Sequence, residues 1–204
     1  MNDLSRALSD ISSIRKQVAN STEFRGYGPA TLATTGVFAA LAAVVQQLWL
    51  ANAGNHIAEY LSIWVSTAAL SAALAGFQMC TRARRIHSAL SDEMIHMAVE
   101  QALPSIVAGL LLTVVLLGSA PHSAWMLPGM WQILFSLGIF SSCRFLPKPM
   151  LAAGVWYLLT GLICISIGNA QAFSPLAMAI PFGAGQMLIA AVLRFSSSKV
   201  EGEI

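Results

Sequence analysis

HIAEYLSIWVSTAALSAALAGFQMCTRARR, residues 56–85, decides the fold. From Tyr60 to Thr81 the chain carries no charge. At about 1.5 Å rise per residue that run makes roughly 33 Å of helix, enough to cross a bilayer. His56 and Glu59 stand at one end of it, and Arg82, Arg84 and Arg85 at the other. Arginines that flank a span stay on the cytoplasmic side, so the segment is oriented and its neighbours follow by alternation.

Working outward, five further apolar stretches appear, giving six expected spans near 29–51, 57–80, 103–119, 124–143, 149–169 and 174–194. The charges between them alternate. The N-terminal tail holds Arg6, Arg15, Lys16 and Arg25, and the loop after span 2 holds Arg82, Arg84 and Arg85. Arg144 and Lys148 follow span 4, and Arg194 and Lys199 follow span 6, which accounts for all 11 Lys and Arg. The connections 51–56, 120–123 and 170–173 have none. Six spans with both termini in the cytoplasm put every basic residue on one side, and adding or removing a span breaks that segregation. The expected fold is therefore all-α: a polytopic membrane protein, a six-transmembrane-helix bundle with its N- and C-termini inside. Its parts are a tail (1–28), a bundle (29–195) and a C-terminal tail (196–204).

Composition agrees. Charged residues make up 10% of the 204, against about 25% in a soluble domain, and repeated uncharged runs of span length could not be hidden in a water-soluble core. The first long apolar run starts only at Pro29, after a mixed-charge tail, unlike a cleaved signal. Cys80, Cys143 and Cys164 have no CxxC spacing and read as buried thiols.

Two segments face the cytoplasm in this reading. Leu4, Leu8, Ile11, Ile14 and Val18 recur at helical spacing, so the tail contains a short amphipathic helix suited to a membrane surface or a partner. The 82–102 loop is expected to prolong helix 2 and then restart at Asp92-Glu93 with Ser91 as cap. A cytoplasmic protein partner would dock on residues 1–20 and 82–102. Within the spans, Gly154, Gly161 and Gly168, and likewise Ala68, Ala72, Ala75 and Gly76, form small-residue faces suited to close helix approach, and a homo-oligomer would use such faces. Trp49, Tyr60, Trp64 and Trp125 read as interfacial belt residues.

No Asp, Glu, Lys, Arg or His lies deep in a span, which argues against proton pumps and ion-coupled transporters. The deep polar groups are amides and hydroxyls: Gln46, Gln47, Gln132 and Gln186, with Ser62, Ser66, Thr67, Ser71, Thr113, Ser136 and Thr160. Buried amides usually bond across helices, and the four glutamines are also the candidate ligand-binding set. Gln132 and Gln186 each follow a proline and glycine (Pro128-Gly129, Pro181 with Gly183 and Gly185). A proline within a span frees a backbone carbonyl, and such broken helices form sites at mid-membrane.

At the outer rim, His56, Glu59 and His122 make a candidate metal site of the His-His-carboxylate kind; the alternative is a rim ion pair. His87, Asp92, Glu93 and His96 read as a solvated loop, since di-iron bundles need a second Glu-x-x-His copy. No P-loop, dinucleotide fingerprint or nucleophile elbow is present, no specific cofactor is implied, and no basic surface suits nucleic acid.

The motifs Ser21-Thr22-x-Phe24, Leu127-Pro128-Gly129-x-Trp131 through Gly138, and Pro181-Phe182-Gly183-x-Gly185-Gln186 resemble a group of small uncharacterised bacterial inner-membrane proteins. The resemblance implies a six-span bacterial inner-membrane protein and carries no activity or functional residue with it. The leading functional reading is non-enzymatic binding of a partner protein, lipid or small ligand. One alternative is a small uncoupled transporter or channel with its polar site near Gln132 and Gln186. A second is a metal or redox protein using the rim cluster.

Overall fold

The computed structural model describes residues 28–50, 53–54, 56–86, 89–143 and 149–201; side chains 82–98, 102, 169–170 and 195–201 lie outside that description. Among the described residues there is no strand, and six helices are long and apolar enough to cross a membrane. In hydrocarbon no water is present to bond an open backbone, so uncharged runs of this length close their hydrogen bonds within themselves as helices. They are α1 (Pro29–Trp49), α2 (Ile57–Ile86), α3 (Ala89–Ser119), α4 (Leu127–Ser142), α5 (Met150–Ile167) and α6 (Pro175–Glu201). A 3-10 helix, Pro121–Met126, feeds α4, and a one-turn helix, Asn169–Ala172, precedes α6.

Each expected span overlaps one of these helices, four of them overrunning it by one to three residues at an end, and three larger differences stand out. α3 begins at Ala89, ahead of the expected cap Ser91, and runs unbroken through Pro104, so the expected elbow and span 3 are one helix. α6 continues to Glu201, so most of the expected C-terminal tail is helical. Gly168 does not pack against a neighbouring helix; it ends α5 at φ 80°, a left-handed conformation that a side chain would strain. The amphipathic tail segment (1–20) and His87 lie outside the described residues, as do the side chains of Asp92, Glu93 and His96.

Packing is uneven. α1 lies against α6 and α4 against α5 over the most extensive contacts, and α5 also packs on α6. α2 leans on α1 and α3 on α4, while α2 and α3 touch each other little. The outcome is a four-helix core, α1, α4, α5 and α6, with two flanking helices. Leu70 and Phe77 on α2, and Leu111 and Val114 on α3, stay exposed, as residues facing acyl chains do. The small face of α2 finds no partner among the described residues: Ala68 and Ala72 are exposed, and nothing lies within 4 Å of a Cβ added at Gly76.

Glycines set the core spacing. A Cβ at Gly129 would stand 2.7 Å from the Gly161 carbonyl oxygen, and one at Gly161 would stand 2.8 Å from that of Gly129. α4 and α5 therefore cross backbone to backbone. Gly36 meets the Gly183 carbonyl across the α1–α6 contact at 3.2 Å. The cysteines are all free: Cys164 is buried as expected, Cys143 is half-buried, and Cys80 is exposed.

Gly129→Ala is expected to destabilise the bundle by about 1–3 kcal/mol, because the obstructing atom is backbone and cannot swing aside. Gly118→Ala, where nothing lies within 4 Å, is the matched control. Thermal melting in mild detergent should show a drop of several degrees for the first and none for the second.

Candidate functional site

Pro181 sits inside α6 and has no N–H to give, so the Ala177 carbonyl one turn earlier loses its helical partner. Gln132, reaching from α4, takes its place: Nε2 donates to the Ala177 oxygen at 3.0 Å. A second contact from Nε2 goes to Met178 Sδ at 4.0 Å. The carbonyl of Pro181 itself accepts from Trp156 Nε1 on α5 at 3.0 Å. α6 stays helical through Pro181, so the expected break reduces to one missing rung of its hydrogen-bond ladder, at Ala177, and Gln132 from α4 fills it. Pro128 behaves differently. It stands in the first turn of α4, where a backbone N–H has no helical partner in any case, and it breaks nothing.

Gln46 is fully committed. Its Oε1 accepts from Trp64 Nε1 at 2.8 Å, and its Nε2 donates to the Phe173 carbonyl at 2.7 Å. It ties α1, α2 and the turn before α6 into one clip. Gln47, one residue on, points out of the bundle and shares nothing with Gln46, Gln132 or Gln186. Trp64 and Tyr60 are corrected by the same geometry: both are buried in the bundle, not placed in an interfacial belt. Trp49, 81% exposed, does suit a belt.

Five buried polar atoms have no hydrogen-bond partner among the described residues: Tyr60 OH, Gln132 Oε1, Ser136 Oγ, Tyr157 OH and Gln186 Oε1. Tyr60, Gln132, Ser136 and Tyr157 are each fully enclosed. Ser136 is instructive because most span hydroxyls are satisfied by their own helix. Thr35, Ser62, Thr67, Thr113 and Thr160 all donate to a carbonyl three or four residues earlier. Ser136 makes no such bond.

Neighbours order the five along the bundle. Tyr60 packs edge-on against Phe173, at the end away from the arginines. Gln132 comes next, level with Gly161 of α5 and the start of α6. Ser136 is one turn deeper on the same face of α4, roughly 6 Å along the axis. Tyr157 stands at that depth, its ring 4.7 Å from Phe135 and 5.3 Å from Phe182. Its hydroxyl lies over Gly185, where any Cβ would collide with it, and the Gln186 side-chain amide stands within reach of it without forming a well-aligned bond. Gln186 follows Ala177 by nine residues, about 13 Å of helix, so Gln132 and Gln186 bracket a column instead of sharing one pocket.

The rim residues do not assemble a metal centre. His56 Nδ1 lies 3.1 Å from Glu59 Oε1, with both side chains exposed, which is the rim pair of the alternative reading. His122 does not join them: among the described residues no three His, Cys, Asp or Glu side chains stand as a ligand set.

Sequence reasoning found Gln132 and Gln186 but passed over Tyr60, Ser136 and Tyr157 as site residues. Tyr157 carried a usable signal, being the lone tyrosine of its span, between Gly154 and Gly161. No family model, curated protein or solved structure matches the chain.

The repair at Ala177 predicts a specific coupling. Gln132→Leu alone should cost about 1–2 kcal/mol by stranding the Ala177 carbonyl. In a Pro181→Ala background residue 181 regains an N–H for that carbonyl, and the same Gln132→Leu change should be nearly neutral. A double-mutant cycle on melting temperature checks this; additive losses would show that the bond carries no stability.

Proposed function

We propose that this is an integral membrane protein that takes small uncharged polar molecules into its bundle and lets them cross without a coupling ion. One observation carries the reading: a column of enclosed oxygens without well-formed bonds, in a core whose other buried polar side chains, such as Gln46 and Thr35, are satisfied. Each such atom costs about 1–3 kcal/mol in a dry interior. A bundle serving only as scaffold would gain by having Phe at 157 and Ala at 136. Polar groups kept at that cost fit a site whose partner is a transient guest.

The chemistry of the column sets limits on that guest. It holds amide and hydroxyl groups and no carboxylate, ammonium or imidazole, so a full charge would have no counterion there and would be strongly disfavoured. Proton coupling would need an ionisable group that the spans do not offer. Access runs through α6, where Pro181, Gly183 and Gly185 cluster within about one turn and the segment before the break is held by side chains. Of the readings that the sequence raises, small-ligand binding and the uncoupled route converge on these residues. We further propose that both termini lie in the cytoplasm, on the segregation of its basic residues, and that the membrane is the bacterial inner membrane that the motif resemblance implies.

Stopped-flow light scattering on proteoliposomes tests the proposal, with water, urea and glycerol as probes. Protein-dependent permeability to at least one probe is expected, and Tyr157→Phe and Ser136→Ala should each reduce it severalfold. Because Ser136→Ala deletes an unpartnered atom, its melting temperature should hold or rise, and Tyr157→Phe, which gives up only a poorly aligned contact with Gln186, should leave it nearly unchanged. Permeability at the protein-free level for all three probes would sink the proposal. So would variants that lose stability and keep full flux, which would make the hydroxyls structural.

A further inference from the structure

The orientation of the unpartnered atoms carries more than their presence. Building on the interior site proposed above, we infer that it selects solutes by their hydrogen-bond donors, and that Pro181 acts as a positioning residue for that selection.

Gln132 sets the direction of the column. An amide is a donor at one end and an acceptor at the other, and which end it shows to the column depends on what holds the remaining end. Here the nitrogen is held by the Ala177 carbonyl, with Met178 sulfur beyond it. Turning the amide over would press its oxygen against the Ala177 oxygen, two acceptors with no proton between them. Pro181 creates this constraint, since the Ala177 carbonyl is open only because residue 181 lacks an N–H. The break in α6 therefore locks Gln132 with its oxygen towards the column.

The rest of the column leans the same way. The Gln186 Oε1 is a second buried oxygen that can only accept. Tyr60, Ser136 and Tyr157 each bring one hydrogen against two lone pairs. Summed over the five, lone pairs outnumber protons, so the complementary guest is rich in N–H or O–H groups: a neutral amide, a polyol or water. Phe135, Phe182 and the Tyr157 ring, in mutual edge contact, supply the apolar wall that makes an unmet bond felt. A solute of similar size that only accepts would leave both amide oxygens bare. Sites built to bond a guest's N–H or O–H discriminate strongly against analogues that lack it.

The experiment compares urea with dimethyl sulfoxide, close in size, one donor-rich and the other without a donor. Each is measured in proteoliposomes as the permeability increment over protein-free vesicles. The wild-type increment for urea should exceed that for dimethyl sulfoxide by at least about tenfold. Pro181→Ala returns an N–H to Ala177 and releases the Gln132 amide to turn, so the urea-to-sulfoxide ratio should fall at least threefold while the melting temperature is maintained. Equal wild-type increments would overturn donor selection and leave the pathway standing. An unchanged ratio in Pro181→Ala would overturn the positioning role. Water, urea and sulfoxide all at the vesicle baseline would overturn the pathway, and this inference with it.

Discussion

A hydrocarbon interior offers nothing to a backbone carbonyl that has lost its partner, and this molecule contains such a carbonyl at Ala177. Its rescue by Gln132 joins α4 to α6 through a hydrogen bond that neither helix can replace by itself. Trp156 adds a bond from α5 to the Pro181 carbonyl, four residues further along α6. The three core helices that build the site are thus linked at the point where one of them is broken. In water a break of this kind would be solvated and would require no particular neighbour. Here it dictates which residues must stand across from it.

Close approach makes these bonds geometrically available. Glutamine is not long, and Gln132 reaches α6 from a stretch of α4 that also touches α5 backbone to backbone at Gly129 and Gly161. The same economy of side chain recurs where Gly36 meets Gly183, and where the Tyr157 ring lies over Gly185. Large residues at these positions would separate the helices and take the amide out of reach. The Gln46 clip closes the arginine-free end in a parallel way, joining α1, α2 and the turn before α6 through both ends of one amide. α2 and α3 have fewer close approaches of this kind and present apolar flanks outward, Leu70 and Phe77 on one and Leu111 and Val114 on the other.

Most of the architecture is legible in the chain because its signals are one-dimensional. Length without charge gives spans, and the placement of Arg82, Arg84, Arg85, Arg144 and Arg194 sorts the loops between them. The value of Gly161 and the break at Pro181 are also readable from residue type alone. What fails is facing. Tyr60 and Trp64 near a span end look like belt residues, and only the neighbouring helix decides that they turn inward. Gln46 and Gln47 are adjacent and chemically identical, yet one is buried and doubly bonded and the other faces out. Pro128 and Pro181 read alike in sequence but differ in effect, because a proline in the first turn removes a donor that had no use. Rotation about a helix axis is set by packing in three dimensions, and a nearly uniform apolar pattern leaves it unwritten.

The two roles of Gln132 belong to opposite ends of one planar group. Its nitrogen is spent on structure and its oxygen is left for a guest, and the plane of the amide makes the second follow from the first. A leucine there would lose both together, whereas a change at Pro181 separates them by removing the need for the nitrogen while sparing the oxygen. Tyr157 and Ser136 stand on the other side of this division, since neither hydroxyl makes a well-formed bond to a neighbouring helix and the aromatic contacts of Tyr157 would survive as phenylalanine. A column that mixes one anchored acceptor with hydroxyls free of structural duty is asymmetric by construction. Helix repair determines its polarity, and the uncommitted hydroxyls leave room for the guest to complete it.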